Sequence, residues 1–164
     1  MNVATLLATN AGHIDHVAFA VEDLEKAIAP YTQLFGFAVK SRLETQGEHS
    51  GMVSAVLVLG TTTLVFTQGT SPESQVSQFI KHYGPGVTHV AIIVSALPEI
   101  VDELRRAGVE FATDLVETPG LKQIFTKRDP VSGLMLELIQ RDGGQFTPAS
   151  VEQIFRTLEA RELY

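Results

Sequence analysis

The chain has 164 residues, 45% of them hydrophobic and 19% charged, with a formal net charge of −7 and no cysteine. That is enough apolar material for one folded domain with its own core; the acidic balance argues against a nucleic-acid surface, and disulfides and thiolate metal sites are excluded. No apolar run approaches the roughly 18 residues that span a bilayer, and the N-terminus lacks a basic, apolar export signal, so the expectation is a cytoplasmic protein without membrane partners.

Residues 1–12 are small, polar and unpatterned and read as a partly ordered leader to a single domain over 13–164. A first strand is predicted at about 13–21. Glu22-Asp23 then opens a helix whose apolar positions Leu24, Ala27, Ile28, Tyr31, Leu34 and Phe35 keep helical spacing, with Gly36 as the stop. Pro30 inside that pattern predicts a kink or bulge. Strands at Phe37–Leu43, Met52–Leu59 and Thr62–Thr67 follow, completing a β-α-β-β-β module over 13–68. After a linker, Ser74 to Tyr83 reads as a connecting helix over 74–83.

The pattern then starts again. A strand beginning at Val87 leads into a helix lined by Leu97, Ile100, Val101 and Leu104 and ended by Gly108. Phe111–Thr113 resumes an extended chain, and strands at Lys122–Thr126 and Leu134–Gln140 close a second module over 86–141, with a turn at 129–133 between them. A final helix over 148–162 carries an apolar stripe of Val151, Ile154, Phe155 and Leu158, with Ser150 as its cap. The fold class is therefore α+β: two tandem β-α-β-β-β modules forming one cupped, mixed sheet, with an additional C-terminal helix. A homodimer is a further expectation.

The repeat carries chemistry. Ile14-Asp15-His16-Val17-Ala18-Phe19-Ala20-Val21 and Gly86-Val87-Thr88-His89-Val90-Ala91-Ile92-Ile93-Val94 are both short buried strands with one histidine early in the run. Strand residues alternate faces, so His16 shares a face with Ala18 and His89 with Ala91, and the small neighbour leaves room beside each imidazole. Either histidine alone could be an ordinary core residue. Leu134-Met135-Leu136-Glu137-Leu138-Ile139 adds one carboxylate inside an apolar strand, which needs a cation or a partner when buried. A salt bridge to Arg141 or Lys127 would satisfy it. The alternative is that His16, His89 and Glu137 meet at one divalent metal as the two-histidine, one-carboxylate triad of non-haem Fe(II) oxygenases. His13 and His49 are then bystanders and His82 a surface residue.

These modules resemble the vicinal oxygen chelate superfamily. Within it, Val53-Ser54-Ala55-Val56-Leu57, Ser74-Gln75-Val76-Ser77-Gln78-Phe79, Gly84-Pro85-Gly86-Val87-Thr88-His89-Val90-Ala91, Gln123-Ile124-Phe125-Thr126-Lys127 and Leu136-Glu137-Leu138-Ile139-Gln140-Arg141 resemble the C-terminal, catalytic domain of 4-hydroxyphenylpyruvate dioxygenases. The resemblance implies Fe(II) held by His16, His89 and Glu137, and oxidative decarboxylation of a 2-oxo acid with O2. It further implies a substrate pocket lined by Ser54, Gln75, Gln123, Phe125 and Phe146, with the segment from Gln145 through Phe155 closing over it on a Gly143-Gly144 hinge.

The chain departs from that pattern at Thr67 and Thr88, which stand where the family has an asparagine and a glutamine of the pocket, and at Ser150 and Val151 in the closing helix. The threonines imply a substrate head group smaller or less polar than a phenol, such as an aryl or branched alkyl 2-oxo acid. A second resemblance, to methylmalonyl-CoA epimerases, runs through Thr70-Ser71-Pro72-Glu73-Ser74 and the Gly-x-Gly before His89. Those enzymes carry a fourth metal ligand where this chain has Val65 and a glutamate base near Ser54. A non-catalytic small-molecule binder on the same fold is the third possibility.

Overall fold

The computed structural model describes residues 2–161. Residue 162, the last of the predicted closing helix, lies outside the described residues. In chain order the elements are α1 (Val3–Asn10), β1 (Ala11–Ala20), α2 (Leu24–Gln33), β2 (Ala38–Gln46), β3 (Gly51–Leu59), β4 (Thr62–Gly69), α3 (Gln75–Tyr83), β5 (Gly86–Val94), α4 (Leu97–Arg106), β6 (Val116–Thr118), β7 (Leu121–Phe125), β8 (Leu136–Arg141) and α5 (Pro148–Ala160).

All eight strands form one mixed sheet in the order β2-β3-β4-β1-β5-β8-β7-β6. The two modules, β1-α2-β2-β3-β4 and β5-α4-β6-β7-β8, meet where β1 and β5 run antiparallel at its centre. Each first strand pairs in parallel with the last strand of its own module, β1 with β4 and β5 with β8. The order therefore reads the same outward from the β1–β5 seam in either direction, an approximate two-fold relation between the halves.

Alternation along the strands sorts the sheet into two faces. On the outer face, Leu24 and Ile28 of α2 pack on Ala55, Leu57 and Phe66, while Leu97, Ile100, Val101 and Leu104 of α4 pack on Val94, Ile124 and Leu138. Full burial of each such aliphatic side chain is worth about 1.5–3 kcal/mol, so both predicted helices are held by their apolar stripes. Asp23 caps α2 by accepting from the Lys26 amide at 3.0 Å. Pro30 sits inside α2, which ends at Gln33 with the Leu34 amide bonded back to the Pro30 carbonyl. The inner face is left to the site.

Three expectations need correction. Residues 3–10 of the expected leader form α1, capped by Asn2, whose side chain accepts from the Thr5 amide at 2.8 Å; Val3, Leu6 and Leu7 pack against the α4 cluster. The extended segment expected at Phe111–Thr113 holds one bridge, Phe111 to Thr126; the module's second strand is β6, paired with β7. Ser150 does not start α5. Thr147 is the cap, its hydroxyl accepting from the Ser150 amide at 3.1 Å, while the Ser150 hydroxyl accepts from the Thr147 amide at 3.0 Å. Pro148 at the helix start explains the earlier boundary, since its fixed φ suits the first turn.

Candidate metal centre

Strand register places the site. His16 pairs with Ala91 and Ala18 with His89 across the β1–β5 seam. Ala91 in turn pairs with Glu137 on β8, and Glu137 with Phe125 on β7. Paired residues share a face, so both histidines, Glu137 and Phe125 project from the inner face. Glu137 Oε2 lies 3.2 Å from His16 Nε2 and 3.4 Å from His89 Nε2, and the three ligand atoms lie within 4.8 Å of one another. Atoms about 3 Å apart are those that share an ion about 2.1 Å from each.

The unused imidazole nitrogens are tied down. His16 Nδ1 donates to Asp15 Oδ2 at 2.8 Å. His89 Nδ1 lies 3.2 Å from the Thr88 hydroxyl, which donates to the Ala18 carbonyl at 3.2 Å and so accepts from the imidazole. Both rings are thereby set to present Nε2 inward, the arrangement that metal-ligating histidines require. Asp15 and Thr88 hold equivalent positions, one residue before each histidine, yet one support is a carboxylate and the other a neutral hydroxyl. Glu137 is 1% exposed, and its Oε1 has no hydrogen-bond partner among the described residues. An orphaned buried carboxylate oxygen beside two inward imidazole nitrogens fits a divalent cation. Neither predicted salt-bridge partner reaches Glu137: Arg141 pairs with Asp15, and Lys127 lies 3.3 Å from Glu110.

The two-fold relation exposes one difference between the halves. Two residues beyond His89, Ala91 pairs with Glu137. Two residues beyond His16, Ala18 pairs with Val65. Val65 is therefore the mate of Glu137, and one half of the site offers a carboxylate where the other offers only methyl groups. By the same register Ser54 is the mate of Gln123, through the pairs Ser54–Thr67 and Gln123–Ile139.

Beside the triad lies a cavity of about 160 Å³. Its wall takes in Leu43, Met52, Val56 and Val65 from module one, Phe79 from α3, and Val151, Ile154, Phe155 and Leu158 from α5. Of the residues expected in the pocket, Ser54, Thr67, Gln75, Thr88, Phe125 and Phe146 border this cavity. The Phe125 ring stands edge-on to His89 at 5.0 Å between centroids, and Phe146 edge-on to His16 at 5.5 Å. Thr67 also donates to the Phe19 carbonyl at 2.9 Å, and the Gln75 amide to the Phe155 carbonyl of α5 at 3.3 Å. Gln123 is not brought to the cavity wall. It lies buried on the same face, and neither amide atom has a partner among the described residues. His13, His49 and His82 are exposed and apart from the triad.

Sequence reasoning missed Asp15 and Arg141. An acid directly before the first histidine was the available signal for Asp15. Arg141 forks onto it, Nε to Oδ1 at 2.7 Å and Nη2 to Oδ2 at 2.9 Å. The expected Gly143-Gly144 hinge is a clip: the amides of Asp142 and Gly144 both bond the Gly120 carbonyl, at 2.8 and 2.9 Å. A Cβ on Gly144 would meet the Gly120 carbonyl carbon at 2.3 Å, so glycine serves close approach there.

Comparison with known proteins agrees with this architecture. Residues 13–138 match the model of the Glyoxalase/Bleomycin resistance protein/Dioxygenase superfamily. The chain is 31% identical over 135 residues to the mitochondrial methylmalonyl-CoA epimerase of Homo sapiens, covering 80% of this chain and 75% of that one. It is 25% identical over 185 aligned positions to a 4-hydroxyphenylpyruvate dioxygenase of Legionella pneumophila, covering 89% of this chain and 53% of the relative. Among solved structures, a mutant 4-hydroxymandelate synthase from Streptomyces coelicolor superposes with a TM-score of 0.81 at 23% identity, over 92% of this chain and 54% of that one. A Streptomyces coelicolor methylmalonyl-CoA epimerase superposes with a TM-score of 0.67 at 24% identity, over 80% of this chain and 98% of that one. The chain thus spans about half the length of the dioxygenase and the synthase.

Proposed function

The chain belongs to the Glyoxalase/Bleomycin resistance protein/Dioxygenase superfamily, and from that premise we propose that it is a non-haem Fe(II) dioxygenase of a 2-oxo acid with an apolar side chain. The observation that carries this reading is the donor set: two histidines and one carboxylate on one side, with Val65 in the position related to Glu137. Three protein ligands leave room at a metal for a substrate that chelates through its carboxylate and adjacent keto oxygen, and for O2 beside it. His16, His89 and Glu137 would hold the ion, which when bound would supply Lewis acidity and redox chemistry with O2.

The rest is the work of the chain's own residues. In the reaction, one oxygen atom of O2 enters the new carboxylate formed as CO2 leaves, and the other enters the substrate side chain. Asp15 and Thr88 hold the imidazoles in register. Phe125 and Phe146 wall the two histidines, and Val56, Val65, Phe79 and the apolar stripe of α5 receive the side chain. A cavity of this size takes a ring or a branched alkyl group, comparable to the roughly 150 Å³ that admits benzene in an engineered core. Ser54 and Gln75 supply the polar contacts, while α5 keeps water from the reacting atoms.

Epimerisation of a 2-methyl acyl-CoA is the second reading, favoured by the human epimerase as a relative. It needs a base beside the substrate and, by the resemblance, a fourth ligand. Val65 cannot ligate, and the Ser54 hydroxyl is a poor base for a carbon acid. One paired assay separates the two. Iron-loaded protein is offered 2-oxo acids with phenyl, isopropyl or isobutyl side chains, following O2 uptake and CO2 release, and separately a 2-methylmalonyl thioester in deuterated water. The expected result is coupled O2 uptake and CO2 release with no enzyme-dependent deuterium incorporation. Deuterium incorporation lost in Glu137→Gln, with no oxygen uptake on any 2-oxo acid, would replace the dioxygenase with the epimerase.

A further inference from the structure

We propose that Arg141 is a positioning residue that couples the metal triad to the segment closing over it, so that filling the site and ordering residues 142–147 stabilise each other. The proposal rests on the metal reading of His16, His89 and Glu137.

Arg141 stands at the end of β8, the strand that carries Glu137, and its guanidinium touches three groups at once. Two of its nitrogens fork onto Asp15, the carboxylate that holds His16 Nδ1. Its Nη1 donates to the Gly144 carbonyl at 3.2 Å. Its flat face lies 4.7 Å from the centroid of Phe146, and Phe146 closes the circle by standing edge-on to His16. The contacts therefore run from His16 through Asp15 and Arg141 to Gly144 and Phe146, and back to His16. Only a planar fork with several donors can hold a carboxylate bidentately, reach a carbonyl and stack on a ring together.

The two halves of the repeat differ here. His89 has a neutral hydroxyl where His16 has a carboxylate, and β4 carries Gly69 at the position that matches Arg141 on β8, four residues beyond Val65 as Arg141 is beyond Glu137. Among the described residues, this charged assembly stands in the half of the site that adjoins the closing segment. Arg141 and Asp15 are 18% and 12% exposed, so the pair is largely shielded and its geometry is worth more than a surface pair's. An ion that draws His16 Nε2 inward fixes the ring, and through it Asp15, Arg141 and the Gly144 carbonyl. The linkage is reciprocal: whatever closure adds to metal affinity, the metal adds to closure.

The test uses manganese(II), which reports occupancy without turnover. Its affinity is measured by calorimetry, and amide hydrogen exchange is followed with and without the ion in the full-length protein and in the Arg141→Gln and Arg141→Lys variants. In the unaltered protein, manganese should slow exchange across residues 142–147. Arg141→Gln should bind manganese about 10–100-fold more weakly, the range typical when a ligand's outer support is lost. At saturating manganese it should no longer slow exchange in 142–147, while β3 and α4 stay as protected as before. Arg141→Lys keeps the charge without the fork, and should recover part of the affinity but not the slowed exchange. Unchanged affinity and unchanged metal-dependent protection in both variants would overturn the proposal, as would protection lost equally in β3 and α4, which marks a merely structural role. Manganese binding to the unaltered protein with no effect on 142–147 overturns the coupling alone. No binding at all overturns the metal reading with it.

Discussion

His16 is deeply buried, and burial works against a charge on its ring; the carboxylates of Glu137 and Asp15 outweigh that cost and raise its pKa to about 9. Burial likewise opposes the charge on Glu137, yet the facing imidazoles hold its carboxyl down at about 2. His89 has a hydroxyl support, and there burial prevails over Glu137 and pushes the pKa below its usual value. A divalent ion entering the triad at neutral pH must therefore displace a proton from His16 and none from Glu137. Metal affinity should rise about tenfold per pH unit as pH climbs from 6.5 towards 9 and level off above that, because the ligand's proton competes until its folded-state pKa is passed. Calorimetry in buffers of different ionisation enthalpy should find close to one proton released per ion at pH 7; none released would contradict a protonated His16. That these three side chains meet was legible in the sequence, the histidines because the repeat sets them at equivalent points and Glu137 because a lone carboxylate in an apolar strand needs a reason. The Asp15–Arg141 pair was not. Those residues are 126 positions apart, and they meet only because β1 and β8 both flank β5.

At the scale of elements, α5 straps the two halves together over the cavity. At its far end the Glu159 carboxylate accepts from the Glu48 amide at 2.8 Å and the Ser50 hydroxyl at 2.5 Å, in the turn between β2 and β3. Arg161 just beyond donates to the Ala112 carbonyl at 2.8 Å, in module two. Slight burial opposes the charge on Glu159, but the Ser50 hydroxyl and the turn amides hold its carboxyl below the usual range. Glu159→Gln keeps the length of the side chain and loses the charge. It should speed amide exchange in residues 47–50 and in the second half of α5 by roughly threefold to tenfold, the equivalent of about 1 kcal/mol for charge-assisted hydrogen bonds near solvent. Manganese affinity should not change, since β1, β5 and β8 carry the proposed ligands; a large loss would mean that the strap also shapes the triad. The apolar stripe of α5 was readable from its spacing, but its start was not, because Ser150 suits a cap as well as the third position of a capping box. The first helix escaped for a different reason: Val3, Leu6 and Leu7 make barely two turns among threonines and asparagine, and only packing on α4 stabilises a helix that short.

Across the whole molecule, a duplicated module supplies a symmetric frame and the site breaks the symmetry. The frame sets both histidines on one face by register alone. The difference between Val65 and Glu137 then makes the donor cluster one-sided, with the apolar wall of the cavity beside it. The module pattern was legible because each copy repeats strand, helix and three further strands with the same stop signals. The strand faces were legible from alternation, but the packing of α3 against the inner side was not, since it rests on contacts between residues far apart in the chain, such as Ala20 with Val76 and Phe79. The most direct measurement is the iron content of protein reconstituted anaerobically with Fe(II) and passed through a desalting column, for the unaltered chain beside His89→Ala and Glu137→Ala. The account predicts one iron per chain in the unaltered protein, and almost none in either variant when both remain folded by circular dichroism. Iron retained undiminished in both folded variants would place the metal elsewhere and contradict the triad.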